Sequence, residues 1–91
     1  MSEIKIIHNP TEEELNKMGV KKWGVWTKEE SEFPWHYSEK ETCYFLEGEV
    51  LVTPETGDPV ELGAGDLVTF PEGMSCIWRV RKPVKKHYKF G

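Results

Sequence analysis

No stretch of this sequence approaches the roughly 18 consecutive apolar residues that a membrane-spanning helix requires, so no membrane partner is expected. The N-terminus, MSEIKIIHN, lacks the apolar run of a secretory signal, and the expected location is cytoplasmic. Cysteine is scarce: Cys43 and Cys76 are too few for a disulfide framework, and in a reducing compartment both are expected as thiols. Basic residues do not dominate. The net charge is −4 and the pI about 5.4, which disfavours wholesale nucleic-acid binding. Gly63-Ala64-Gly65-Asp66 reads as a turn rather than a phosphate loop entering a helix, and no Ser-His-Asp grouping stands out.

What is present is aromatic. Four Trp, four Phe and three Tyr in 91 residues are enough to fill a small barrel. A chain of this length makes one domain and buries only roughly 60–65% of the surface that it exposes when unfolded. Charge is uneven: residues 79–91, RVRKPVKKHYKFG, hold six of the twelve basic residues and no acid. Such a run reads first as a solvated strand face, with an anion or partner patch as the alternative. His87, inside it, reads as a surface residue, and His8 has no partner that the sequence identifies.

The N-terminal region, residues 1–22, carries a short strand (3–8) and one helix. Thr11 is a suitable cap, Glu14 completes a capping box, and Gly19 stops the helix after about two turns. From about residue 23 to 90 the pattern is short strands punctuated by Gly or Pro, which argues an all-β sandwich or barrel. Glu47-Gly48 reads as a tight hairpin between TCYFLEG and EVLVTP. Residues 54–59, PETGDP, form a turn cluster, and MSCIWRV and VKKHYKF are two closing strands. Alternation sets Glu41, Cys43 and Phe45 on one face and Thr42, Tyr44 and Leu46 on the other. It also sets Cys76, Trp78 and Val80 inward, opposite Ile77, Arg79 and Arg81. The strand from Glu41 is apolar on both faces, so alternation alone does not orient it.

Two glycine-centred segments resemble the cupin superfamily, whose motifs are G(X)5HXH(X)3,4E(X)6G and G(X)5PXG(X)2H(X)3N. Glu41 is followed by six residues and Gly48; Gly65 is followed by five residues and Pro71-Glu72-Gly73. The strings ETCYFLEG and GDLVTFPEG, followed by Cys76-x-Trp78, are similar to the cupin domain group named for (S)-ureidoglycine aminohydrolase. The resemblance implies a small jelly-roll barrel with Glu41 pointing inward. With the three-residue spacer it also aligns the metal-binding histidine positions with Trp35, Tyr37 and Cys76, and the asparagine position with Val80. Only Glu41 then remains of the usual ligands. With the four-residue spacer His36 takes the second position but Pro34 the first. No metal and no cofactor are therefore expected.

The candidate ligand-binding residues are Trp35, Tyr37, Glu41, Cys43, Cys76 and Trp78. Aromatic walls around one carboxylate are the usual pattern of a small-molecule site. Glu41 is the single candidate acid/base; the bland reading makes it a structural acid bonded to Tyr37 or a backbone amide. The cysteines read as small buried hydrophobes, because a neighbouring carboxylate raises a thiol pKa. Three roles fit these residues. The chain binds a small nitrogenous metabolite in the barrel, hydrolyses a ureide or amine as the family name implies, or serves as a structural module. An exposed Thr42, Tyr44, Leu46 face would favour a homodimer.

Overall fold

The computed structural model describes residues 4–91, so Glu3, the first residue of the expected opening strand, lies outside the described residues. β1 (Lys5–His8) leads to α1 (Glu12–Met18), where the Thr11 hydroxyl accepts from the Glu14 N–H at 3.1 Å. Gly19, at φ 70°, ends the helix in the left-handed conformation that favours glycine. A short 3-10 turn (Val20–Lys22) passes into β2 (Gly24–Lys28). There follow β3 (Ser31–His36), β4 (Glu41–Pro54), β5 (Val60–Gly63), β6 (Asp66–Phe70) and β7 (Ser75–Phe90). All pairings are antiparallel.

Two long strands organise the fold. The first half of β4 lies between β6 and the second half of β7, and the second half of β4 lies between β5 and the first half of β7. β7 likewise pairs β3 along its first half and β2 along its second. Each long strand thus takes part in two strand sets, β1-β6-β4-β7-β2 and β5-β4-β7-β3, whose inner faces share one core. This is the expected all-β cupin architecture with one short N-terminal helix.

Glu47-Gly48 is not the expected hairpin. The chain does not reverse there, because β4 stays paired with β7 on both sides of Gly48. The register shifts between Phe45 and Val50 show a bulged bend instead. Gly48 has φ 105°, and a Cβ on it would lie 2.6 Å from the Pro83 carbonyl oxygen and 2.7 Å from Val84 Cα. Pro83, which has no N–H to contribute to a ladder, sits in β7 opposite this bend. The two expected closing strands are accordingly one continuous strand that bends.

Alternation orients the strand around Trp78 correctly, and Glu41 points inward as the cupin resemblance implies. Glu41, Cys43, Phe45, Cys76, Trp78 and Val80 are buried, whereas Ile77, Arg79 and Arg81 are exposed. Trp78 is the hub of the core. Phe33 and Phe45 stack against it at centroid distances of 6.1 and 6.3 Å, and Trp26 meets it edge-on at 5.8 Å.

Candidate functional site

The basic C-terminal run is only partly a solvated face. Inward parity continues past the bend through Val84, Lys86 and Tyr88, and it carries Lys86 into the interior. There Lys86 Nζ donates to Glu41 Oε2 at 3.0 Å, and the two side chains are only 6% and 4% exposed. Cys43 Sγ lies 3.2 Å from the same Nζ and donates to Glu41 Oε2 at 3.0 Å. Three rings surround the ammonium group: Trp78 at 4.7 Å, Trp26 at 4.8 Å and Phe45 at 5.9 Å from Nζ to centroid. Glu41 is therefore an internal ion-pair partner and is not bonded to Tyr37 or a backbone amide as its bland reading had it. A buried charge needs such a partner, since desolvation alone disfavours it by several kcal/mol.

Above this pair lies a half-open cavity of about 140 Å³. Trp26 from β2, Phe33 and Trp35 from β3, and Trp78, Tyr88 and Phe90 from β7 form its walls. Glu41 and Lys86 supply its charged groups. Trp35 is 44% exposed, which makes it a rim residue.

Of the six residues singled out from the sequence, Trp35, Glu41 and Trp78 line this cavity. Cys43 lies beneath it, fully buried, and reaches the site only through its contacts with Glu41 and Lys86. Tyr37 is also interior. It stacks on Phe70 at 4.8 Å, and its hydroxyl accepts from Trp78 Nε1 at 3.1 Å, which orients the indole. Cys76, buried in the core, does not line this cavity and instead borders a separate open depression with Trp35, His36 and Ser75. In that depression His36 Nδ1 lies 2.8 Å from Ser75 Oγ.

Burial pushes the Tyr37 hydroxyl and the Cys43 thiol well above their ordinary ranges, and pushes Cys76 up to about 11. For Cys43 the nearby Lys86 opposes the shift, but burial outweighs it. These groups are protonated at neutral pH. The other histidines also lie differently from their sequence reading. His8 pairs with Asp66 at 2.6 Å, and His87 is half-buried with Nδ1 lacking a partner.

The interior does not suit the metal that cupin barrels often hold. Among the described residues no three His, Cys, Asp or Glu side chains converge as a ligand set. The one carboxylate at the site has an ammonium group 3.0 Å away, a cation already occupying the ground where a metal would sit. Among the same residues no helix is long and apolar enough to cross a membrane.

Sequence reasoning missed Lys86, Trp26, Phe33, Tyr88 and Phe90. The signal for Lys86 was parity: it stands an even number of positions from Trp78 and Val80. Trp26 and Phe33 had no such reference point, because only the pairing of β2 and β3 with β7 brings them to Trp78.

A known domain family matches this chain. The family model of the EutQ-like cupin domain covers residues 15–88. A DUF861-family protein from Thermotoga maritima, known from a crystal structure, is 52% identical, with a TM-score of 0.94 over 98% of this chain and 100% of that one. A protein of Salmonella typhimurium, assigned as ethanolamine utilization protein Q, is 30% identical, with a TM-score of 0.66 over 74% of this chain and 54% of that one. This chain thus spans about half of that protein's length. The EutQ protein of Clostridium difficile, at 22% identity and a TM-score of 0.67, shares the fold. No curated protein matches the chain. With most of its length matched by the family model and a half-identical structural relative, the chain belongs to the EutQ-like cupin domain family (DUF861).

Proposed function

We propose that the barrel binds a small nitrogenous metabolite bearing an amide or ureide group. The observation that carries this reading is the Glu41–Lys86 pair at an aromatic cavity. An amide is polar in two senses, and this pair answers both. Its carbonyl accepts from Lys86 while its N–H donates to Glu41, and neither protein group gives up its partner. A cationic ligand would have to displace Lys86 from Glu41, and an anionic one would face the carboxylate. Six aromatic residues supply apolar walls, in keeping with small-molecule sites generally. The cavity of about 140 Å³ suits a compact ligand, since an engineered 150 Å³ cavity in another protein holds benzene. The likeness of ETCYFLEG and GDLVTFPEG to ureidoglycine-aminohydrolase-type cupins points toward the same ligand class. Binding rather than hydrolysis is the role, because the donor set around Glu41 does not suit a metal that would activate water.

The test is a panel of small amides, ureides and amines, read by thermal shift and tryptophan fluorescence. Trp26, Trp35 and Trp78 border the cavity and report its occupancy. We expect at least one neutral amide or ureide to stabilise the protein. Glu41→Gln should weaken it by on the order of 10- to 150-fold, the loss of one charge-assisted hydrogen bond. Hits that ignore both Glu41→Gln and Trp26→Leu, or no hit across the panel, would overturn this reading.

A further inference from the structure

We propose that Lys86 is a covalent attachment point whose amine forms a Schiff base with a small aldehyde or ketone entering the aromatic cavity. The proposal rests on reading that cavity as a ligand site, and it adds a bond to that reading.

Among the described residues lining the cavity Lys86 supplies the only amine, and its Nζ is aimed into the interior rather than into bulk water. A lysine confined in an apolar pocket is the usual setting for amine nucleophiles. What it needs is a place to put its proton, and Glu41 Oε2 stands 3.0 Å from Nζ. The ammonium proton passes to that carboxylate, and the freed lone pair attacks the carbonyl carbon, forming the C–N bond of a carbinolamine. The carbinolamine oxygen then takes up two protons, one returned by Glu41 and one from the attacking nitrogen, and leaves as water as the nitrogen lone pair forms the C=N bond. In sum, one ammonium and one carbonyl yield one protonated imine and one water, with no change in oxidation state.

The site treats reactant and product alike in charge. The iminium nitrogen is a cation at the place where the ammonium was, so the Glu41 carboxylate and the Trp26, Trp78 and Phe45 faces continue to stabilise it. Apolar walls on most sides limit the water that would hydrolyse it. The cavity of about 140 Å³ admits a carbonyl compound of roughly benzene size. The competing nucleophile is Cys43, but it lies beneath the cavity, and its proton is directed at Glu41. The amine, not the thiol, meets an incoming carbonyl.

The experiment treats the full chain near neutral pH with benzaldehyde or butyraldehyde in the presence of sodium cyanoborohydride, which reduces an imine to a stable secondary amine. Intact mass counts the adducts and peptide mapping locates them. The exposed lysines, Lys40 among them, are internal controls in the same sample. We expect one adduct per chain at Lys86, saturating with carbonyl concentration and forming about tenfold or more faster than at any exposed lysine. Lys86→Arg keeps the positive charge and should abolish this adduct while surface labelling is unchanged. Glu41→Gln should slow it by on the order of 100-fold, as for loss of a positioned proton acceptor.

Labelling spread over exposed lysines, with Lys86 no faster, overturns the proposal. This outcome is read on wild-type protein and needs no variant to fold. Should amides still bind in that case, the cavity remains a non-covalent site. Should they fail as well, both readings fall together. An adduct at Lys86 whose rate ignores Glu41→Gln overturns the proton path written here.

Discussion

Lys86 and Glu41 stand 45 positions apart in the chain and 3.0 Å apart in the structure, each almost wholly buried. Their juxtaposition depends on β4 and β7 lying side by side, with Lys86 directly across from Phe45 and Glu41 across from Phe90. Both groups belong to the core and to the site at once, so their removal has separable effects on stability and on binding.

Breaking this pair on one side should be far worse than removing it altogether. Lys86→Met strands the Glu41 carboxylate among aromatic rings and is expected to destabilise by about 3–5 kcal/mol. The double variant Glu41→Leu/Lys86→Met leaves no orphaned charge and should lie within about 1–2 kcal/mol of wild type. Urea denaturation of both single variants and the double variant measures the coupling. Single variants costing less than the double would show that the pair is not a closed unit.

Alkaline pH should loosen the fold. The Cys76 thiol rises from an ordinary 9.0 to about 11 on folding, so the native state holds a proton that the unfolded chain gives up sooner. The stability this supplies is complete below pH 9 and is lost as pH climbs toward 11. Cys43 and Tyr37, raised in the same direction by burial, extend the loss further. A melting temperature that falls from pH 8.5 to 11, less steeply in Cys76→Ala, is the expected result. A flat profile would contradict it.

Gly48→Ala should destabilise through the backbone. The position holds φ 105°, and a new methyl would meet Pro83 O and Val84 Cα at under 3 Å. Strain of order 1–3 kcal/mol from the dihedral alone, plus displacement of β7, is expected. Pro83→Ala is the informative partner: it leaves the dihedral cost in place and so should not rescue the variant. Full rescue would mean that Pro83, not the glycine conformation, dictates the bend.

Trp78→Ala removes the ring on which Phe33, Phe45 and Trp26 converge. Truncation of a buried aromatic of this size costs about 3–5 kcal/mol, a large share of the margin available to so small a domain. Calorimetry should show either a steep drop in melting temperature or loss of a cooperative transition. Trp35→Ala at the exposed rim should cost far less, and near-equal costs would argue against the hub.

Local chemistry was enough for much of this structure. Thr11, Glu14 and Gly19 specify the helix ends because capping is a contact between near neighbours. The inward set Cys76, Trp78, Val80 follows from the two-residue period of a strand, whereas the same period groups Glu41, Cys43 and Phe45 on one face without saying which way it points; the cupin likeness turned that face inward. The spacing of Glu41 from Gly48, and of Gly65 from Pro71 and Gly73, carried the cupin likeness for the same reason: turn residues mark where strands must bend. Glu41 as the charged centre was legible in that frame.

Only the tertiary structure decided what Glu41 does. Whether Gly48 closes a hairpin or bends a strand depends on which neighbour β4 keeps, and that neighbour, β7, is contributed by residues far along the chain. Lys86 lies in a stretch whose composition reads as solvent-facing, since a lysine ordinarily keeps its charge in water. Its parity pointed inward, but a buried ammonium is tolerable only when a carboxylate and ring faces are waiting, and those come from β2 and β4. Alternation is a property of one strand and can be read from one strand. Charge compensation is a property of several, and it exists only once they are assembled.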